Sequence, residues 1–267
     1  MLSHAAKEMG YGWGFGVHEA LDQFGAMFGP LLVALVFATT QHNFRIAFAA
    51  LAVPAVIMLS LLAVARSVYP RPEDLEPEYG AAVHGRRLPR VFWIYLASAA
   101  LVAAGFADFP IIAYHFLRAG SVPAGLIPIF YAAAMAVSGT GSLVFGRLFD
   151  RFGIGLLIPL TLAAAAYAPL AFLGGFWAAL VGSCLWGLGM GVHESIIPAA
   201  VAPMVSADRR ASAYGLFTGV YGVAWFAGST AIGALFSVSL TTVVLFCVIA
   251  ELAAIPFMLV VAHRANA

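Results

Sequence analysis

The sequence predicts an all-α integral membrane protein with about eight transmembrane helices. Apolar residues make up 63% of its 267 positions and charged residues only 9%, whereas soluble domains carry roughly 25% charged residues. The apolar residues group into segments of about 20, the length that crosses a bilayer as a helix. Most Lys and Arg residues fall on one predicted side, as cytoplasmic loops require.

Eight candidate spans follow one another along the chain. They cover residues 10–38, 44–65, 91–117, 122–145, 154–173, 176–199, 211–236 and 239–262. The connections are short, except for one charged segment that is too poor in apolar residues to bury a core. We therefore predict two helices of an incomplete N-terminal bundle over 1–66, a cytoplasmic linker over 67–90 and a complete six-helix C-terminal bundle over 91–267.

The cations set the predicted orientation. One side holds Lys7, Arg66, Arg71, Arg86, Arg87, Arg90, Arg147, Arg151, Arg209, Arg210 and Arg264, and the other holds Arg45 and Arg118. This asymmetry predicts a multi-pass protein of the cell (inner or plasma) membrane with both termini in the cytoplasm. The lipid bilayer is the expected partner. A net charge of +1 without any basic run gives no reason to expect nucleic-acid binding.

A weak internal repeat relates the two ends of the chain. A shift of 199 positions places Gly16 on Gly215 and Phe15 on Tyr214. The first two spans therefore look like counterparts of the last two. If so, counterparts of the four central spans are expected before Met1, and they are absent from this sequence.

A short turn between the fourth and fifth spans carries a specific motif. It reads GRLFDRFG and resembles the signature loop of the major facilitator superfamily, Gly-x-Leu-x-Asp-Arg-x-Gly. The matching residues are Gly146, Leu148, Asp150, Arg151 and Gly153. The resemblance implies that the loop is a conformational lock, which engages the adjacent helix ends when the cytoplasmic side is closed. Ordinary membrane-interface charges are the alternative interpretation of Asp150 and Arg151.

The first span resembles the antiporter motif of the same superfamily. The matching residues are Gly16, Gly25, Gly29 and Pro30. Val33 and Ala34 replace the closing glycine pair of the motif, so antiport is implied less directly than membership. The resemblance extends over nearly the whole chain and corresponds to helices five to twelve of a twelve-helix fold. It implies secondary transport of a small molecule by alternating access, and we expect little or no transport from this chain alone.

The predicted spans contain acids but no deeply placed Lys or Arg. The acids are Glu19, Asp22, Asp108, Glu194 and Glu251, and the nearby histidines are His18, His115 and His193. A charged side chain at mid-membrane costs about 2.5–3.5 kcal/mol on insertion scales. Burial also favours the neutral form of a carboxyl group. This composition predicts a proton relay, with protons and a small molecule as partners.

Two of the spans place acids beside histidines on a common face. In the first span, His18 and Asp22 share a stripe with Gly25 and Gly29, which we expect to face protein because glycines let helices approach. For the His18–Asp22 pair, a role in proton coupling and a purely structural hydrogen bond that holds the helices together are equally open. In the third span, Asp108 and His115 lie seven residues apart around a proline, which favours cavity lining over a packed kink.

The sixth and eighth spans each carry one glutamate. Glu194 continues a stripe of Gly187 and Gly191, and a proton or cavity role is as open as a structural hydrogen bond. Glu251 is expected to make an ordinary bonded polar contact. The string Gly-Val-His-Glu occurs at 16–19 and again at 191–194. That spacing of 175 does not match the 199-residue repeat, so we attribute the recurrence to chance.

Two other classes of function compete with transport. A membrane metalloenzyme would use His-Glu-x-x-His on a helix, but Asp22 and Ile197 occupy the positions of the second histidine. We therefore predict no enzyme activity, no catalytic or metal-binding residue and no cofactor. The other class is a non-transporting membrane scaffold or receptor, or a gene fragment. The absence of cavity Lys and Arg disfavours an anionic substrate.

Overall fold

Helices make up nearly all of the part of the chain that the structure describes, and no strand occurs in that part. The computed structural model describes residues 6, 9–40, 43–68, 70 and 88–265. The α-helices are α1 (Tyr11–Thr39), α2 (Phe44–Val68), α3 (Arg90–Gly105), α4 (Phe109–Ala119), α5 (Ile127–Phe152), α6 (Leu157–Ala165), α7 (Tyr167–Leu173), α8 (Phe176–Gly191), α9 (Ile197–Ala199), α10 (Arg210–Phe236) and α11 (Leu240–Ala265). A π-helical turn covers Val192–Ile196, and 3-10 turns cover Ala124–Leu126, Gly153–Leu156, Ala202–Met204 and Ala207–Arg209.

Seven helical stretches within the described residues are long and apolar enough to cross a membrane. One of them, Ala124–Leu173, has 50 residues, which would measure about 75 Å as a straight helix. The hydrocarbon core is only about 30 Å thick. Gly153, with a φ of 65°, ends α5 and separates the fourth predicted span from the fifth. The all-α membrane fold is confirmed, whereas most of the linker over 67–90 lies outside the described residues and the domain boundaries stay a prediction.

Glycines bring the helices into backbone contact. The main contact of α1 is with α5, and α5 also packs on α8. At each of four positions, a Cβ atom added to the glycine would overlap a backbone carbonyl oxygen of the facing helix. The positions are Gly12 against Gly146, Gly16 against Ser142, Gly187 against Ala134, and Gly228 against Ala104. Close backbone approach of this kind is the usual way in which membrane helices pack, because lipid offers no hydrophobic force between them.

Helix α2 contributes mostly lipid-facing surface. It packs on α1, and Ala47 is its one buried residue among those whose side chains are described. The exposed positions are apolar over nearly the whole helix. Such a helix is stable in hydrocarbon because its backbone hydrogen bonds are all internal.

The third predicted span is not one continuous helix. Residues 106–108 separate α3 from α4, and Pro110 occupies the first turn of α4, where its missing N–H group costs nothing. The Tyr167 hydroxyl donates to the Gly105 carbonyl (3.1 Å) and accepts from the Ala107 N–H group (2.7 Å). The Trp186 indole N–H group donates to the Ala107 carbonyl at 2.7 Å. Buried side chains thus satisfy the backbone groups that the break releases.

The sixth predicted span is also irregular. After Gly191 the chain forms the π-helical turn Val192–Ile196 before α9 begins. The Ser195 hydroxyl donates to the Gly191 carbonyl within this turn. Turns of this type inside α-helices occur frequently at functional sites, and this one contains His193 and Glu194.

Candidate functional site

A polar cavity of about 220 Å³ opens between α1 and the π-helical turn. Its lining residues are Phe15, His18, Glu19, Asp22 and Glu194. Four of the seven residues predicted for the substrate and proton pathway therefore lie together. Since α1 and the π-helical turn are in direct contact, the cavity lies on the interface between them. We call it the acidic cavity.

Glu19 and Glu194 form the centre of the acidic cavity. Both side chains line this one cavity, although 175 positions separate them in the sequence. Glu19 is only 4% exposed, while Glu194 is exposed in this chain. Two carboxylates that line one small cavity repel each other when both are ionised. The pair is therefore chemically suited to hold one proton between its two members.

Gln23 supports the glutamate pair and was not among the predicted residues. Its side-chain amide donates a hydrogen bond from Nε2 to the Glu19 carboxyl group. Gln23 is one helical turn after Glu19, so the i, i+4 spacing on one helix face is the signal that could have identified it. The glutamates of the two Gly-Val-His-Glu strings both line the acidic cavity, while the recurrence of the string itself stays attributed to chance.

His18 and Asp22 form the rim of the acidic cavity. The His18 Nδ1 atom lies 3.2 Å from the Asp22 Oδ2 atom, and the two side chains are 55% and 63% exposed. The two side chains thus contact each other along α1, where both are exposed, and the coupling and structural interpretations both stay open. Within the described residues, the Asp22 carboxylate is the one carboxylate with an ion-pairing partner. Neither Glu19 nor Glu194 pairs with a Lys or Arg there.

His193 is buried behind Glu194 in an aromatic environment. Its ring lies 4.2 Å from the Phe106 ring and 5.8 Å from the Trp225 ring, measured between centroids. The Tyr221 hydroxyl hydrogen-bonds to its Nδ1 atom at 2.7 Å. The structure thus places His193 among rings of α10 and the break in the third span, and not on the wall of the acidic cavity.

Asp108 fixes the break in the third span to α10. It precedes the first residue of α4, and its carboxylate accepts hydrogen bonds from the Trp225 indole (2.8 Å) and the Ser229 hydroxyl (2.6 Å). Both donors are neutral, and Asp108 remains half-buried. The Trp225 side chain contacts both Asp108 and His193, but Asp108 does not line the acidic cavity.

His115 and Glu251 lie away from the acidic cavity. His115 is 5% exposed, contacts the Phe172 and Phe236 rings and so does not join Asp108 at one site. Glu251 is 0% exposed, and neither of its carboxyl oxygens has a hydrogen-bond partner within the described residues. The expectation that Glu251 makes an ordinary hydrogen-bonded polar contact is therefore wrong as far as the described residues are concerned.

The signature loop contacts the beginning of α1. The Asp150 carboxylate accepts hydrogen bonds from the backbone N–H groups of Gly12 (2.7 Å) and Trp13 (2.8 Å). These N–H groups lie in the first turn of α1 and have no partner within that helix. A negative charge there is also stabilised by the helix dipole. The Arg147 guanidinium stacks on the Trp13 ring at 3.8 Å, a contact that the motif does not predict.

The remaining motif residues have simpler surroundings. Gly146 provides the close contact with Gly12, and Leu148 is half-buried on α5. The Arg151 guanidinium lies 5.3 Å from the ring of the adjacent Phe152. Gly153 supplies the positive φ that ends α5. Asp150, Arg147 and Gly146 thus join α5 to α1, whereas Arg151 contacts its own neighbour.

The antiporter-like stripe of α1 divides into two parts. Gly16 packs against Ser142, but a Cβ atom built on Gly25 or Gly29 would meet nothing within 4 Å in the described chain. Those two glycines line an apolar pocket of about 520 Å³ between α1 and α2, and Pro30 lies inside α1 beside them. Within the described residues, α5 is contacted by the face that carries Gly12 and Gly16, one turn apart.

Comparisons with known proteins agree with this architecture. The family model of the Major Facilitator Superfamily matches residues 1–229. Uncharacterised proteins of Mycobacterium tuberculosis and of Mycobacterium bovis are each 36% identical to this chain over 263 residues. The match covers 97% of this chain and 64% of each relative, so the chain spans less than two thirds of the curated relatives it matches. The extent of the family match, together with an all-helical membrane fold, shows that the chain belongs to the major facilitator superfamily.

Proposed function

We propose that this chain forms part of a proton-linked secondary transporter for a small molecule. The observation that carries the proposal is the Glu19–Glu194 pair in the acidic cavity. Within the described residues, neither glutamate has a Lys or Arg partner. Because the pair lies at an interface between helices, a movement of α1 relative to the π-helical turn changes its surroundings. The movement and the protonation of the pair are thereby coupled.

The contacts of the signature loop support alternating access. Asp150 holds the start of α1 against the end of α5, and Arg147 adds a stacking contact at the same end. We assign this end to the cytoplasm on the distribution of cations. In that orientation, these contacts support a state closed toward the cytoplasm, and we propose that release of Asp150 accompanies opening. The antiporter-like glycines of α1 favour export in exchange for protons.

Transport driven by a proton gradient tests the proposal. The complete open reading frame that contains this chain is expressed, and a panel of labelled small molecules is offered to inverted membrane vesicles. We expect accumulation that requires the gradient. The Glu19→Gln substitution keeps a neutral, isosteric side chain, so we expect it to abolish gradient-driven accumulation while substrate counterflow, which needs no net proton movement, persists.

Asp208→Asn is the matched control, because Asp208 is an exposed acid outside the acidic cavity. It should accumulate substrate at the wild-type rate. Accumulation that persists after the gradient is collapsed, or in the Glu19→Gln variant, contradicts the coupling. If no compound of the panel moves even by counterflow, the non-transporting scaffold becomes the better explanation.

A further inference from the structure

Glu251 is a buried acid that the proposed transport mechanism does not use. Eleven residues of α11 precede it and 14 follow it, so it lies near the middle of that span. The side chain is 0% exposed, and neither carboxyl oxygen has a hydrogen-bond partner within the described residues. An ionised carboxylate in such surroundings costs far more free energy than a neutral acid. The partners that the neighbouring helices offer therefore decide its charge state.

The tyrosine hydroxyls of the neighbouring helices are bonded to other groups. The elements that pack on α11 are α3, α6, α7, α10 and the 3-10 turn Gly153–Leu156. Neither α6 nor that turn carries a titratable side chain. The tyrosines of the other three helices bond elsewhere: Tyr95 to the Ile197 carbonyl, Tyr167 to the Gly105 carbonyl, Tyr214 to the Pro198 carbonyl and Tyr221 to the His193 ring. Cys247, one turn earlier on α11, offers only a weak S–H donor.

The cations of these helices are too far from Glu251 for an ion pair. His263 and Arg264 follow it by 12 and 13 residues on α11, which is about 18 to 20 Å along a helix. Arg90 and Arg210 are the first residues of α3 and α10, whereas Glu251 packs against the last residue of α3. Within the described residues, no Lys, Arg or His pairs with it.

Glu251 lies against the end of α3, where the third span breaks. A Cβ atom built on Gly105 would lie 3.1 Å from the Glu251 Cγ atom and 2.9 Å from the Cys247 carbonyl oxygen. Gly105 is the last residue of α3, and residues 106–108 are not helical. The contact of α3 with α11 thus covers the carboxyl group. This contact must open before water reaches the carboxyl oxygens.

We propose that Glu251 is a proton-binding site separate from the acidic cavity. The proton is bound while α3 packs on α11, and it passes to water when that contact opens. The O–H bond of the carboxyl group breaks, the carboxylate keeps the electron pair, and a water molecule takes the proton. An ionised Glu251 then opposes closure until it is protonated again, because the closed contact offers it no partner. This site goes beyond the proposed function, which uses only the acidic cavity.

Infrared spectroscopy tests whether Glu251 carries a proton. The complete open reading frame is purified into lipid nanodiscs at pH 7, where carboxylic acids and carboxylates absorb at separate frequencies. The difference between the wild type and Glu251→Gln should show the loss of a carboxylic acid band and no loss of a carboxylate band. Asp208→Asn is the matched control, because Asp208 is an exposed acid. Its difference spectrum should show the loss of carboxylate bands only.

Glu251→Met provides a second variant without the carboxyl group. Methionine is unbranched, apolar and of similar length, so it suits a site where the native oxygens have no donor in the described chain. We expect its Tm in detergent to be equal to or higher than that of the wild type. The same carboxylic acid band should be absent from its spectrum. Loss of a carboxylate band in either variant overturns the proton-binding site.

Exchange into D₂O tests whether opening of the α3–α11 contact releases the proton. The carboxylic acid band should shift as deuterium replaces the proton. Gly105→Ala should speed this shift about fivefold or more, because the added methyl group presses on α11 and favours opening. Gly25→Ala should leave the rate unchanged, since that position is open in the described chain. A band that never shifts, or equal rates in the two variants, overturns the link between proton release and this contact.

The outcomes separate this inference from the proposed function. An ionised Glu251 overturns the inference, while gradient-driven accumulation that depends on Glu19 would still support proton-linked transport. A protonated and exchanging Glu251, in a protein whose accumulation needs no gradient, supports the Glu251 site and contradicts proton-linked transport.

Discussion

Single side chains at helix ends carry much of the specificity of this fold. The Asp150 carboxylate accepts from two backbone N–H groups that α1 cannot satisfy internally. Gly10, which precedes α1 with a φ of 97°, lies against the same carboxylate. A Cβ atom on Gly10 would overlap that carboxylate, and its positive φ is rarely adopted by residues with a side chain. Position 10 therefore requires glycine.

We predict that Asp150→Asn weakens the contact between α1 and α5. Asparagine keeps one oxygen acceptor but loses the charge at the helix start, which costs about 1 kcal/mol. Thermal unfolding in detergent should show a lower Tm. Arg151→Gln is the control, because the Arg151 guanidinium contacts only the adjacent Phe152 ring among the aromatic contacts of the described chain. Equal Tm losses in the two variants would argue against a special role of Asp150.

At the scale of helices, the contact of α1 with α5 depends on small residues in one register. Gly12 and Gly146 face each other so closely that a Cβ atom on either would overlap the carbonyl of the other. Gly16 repeats the arrangement against Ser142. Glu19 and Gln23 follow on the same face of α1, so the glycine contacts also position the acidic cavity.

We predict opposite results for alanine at two glycines of this region. Gly146→Ala should destabilise the folded protein by about 1–3 kcal/mol, because the added methyl group would overlap the Gly12 carbonyl and force α1 and α5 apart. Gly25→Ala should be neutral or slightly stabilising, because that position is open in the described chain and alanine favours helix over glycine by up to about 1 kcal/mol. Unfolding in detergent measures both. A loss in Gly25→Ala that equals the loss in Gly146→Ala would refute this assignment of the packed face.

At the scale of the whole molecule, the distribution of charge relative to the bilayer sets the orientation. Eleven of the 13 Lys and Arg residues fall on the predicted cytoplasmic side, and such loops resist translocation. The contact of Arg147 with Trp13 and that of Arg210 with Tyr11 bring the ends of three helices together on that side. The predicted orientation and the proposed closed state therefore concern the same end of these helices.

Reporter fusions test the predicted orientation. A green fluorescent protein fused after the last residue should fluoresce, because it folds in the cytoplasm. Alkaline phosphatase inserted after Gly120, in the turn that follows Arg118, should be active, because it requires the opposite side. The reverse pair of results would show that both termini lie outside the cytoplasm, and it would also invert the assignment of the closed end.

Much of this architecture was predictable from local sequence. Hydropathy located the spans, because a polypeptide in lipid must satisfy its backbone groups within helices. Spacing identified the signature loop, and both Asp150 and Gly153 have the local roles that a helix contact and a helix end require. The rarity of charge in the spans also pointed to Glu19 and Glu194, because charge in hydrocarbon requires a protein environment.

Tertiary structure decided which faces meet and where the helices break. Gly25 and Gly29 are as small as Gly12 and Gly16, so sequence alone could not select the packed face of α1; the matching surface of α5 selects it. The break at 106–108 depends on Tyr167 and Trp186, which lie 60 or more positions away. Glu19 and Glu194 meet because packing brings α1 to the π-helical turn. Local sequence governs insertion into the bilayer, but contacts between distant helices depend on the shapes of both partners.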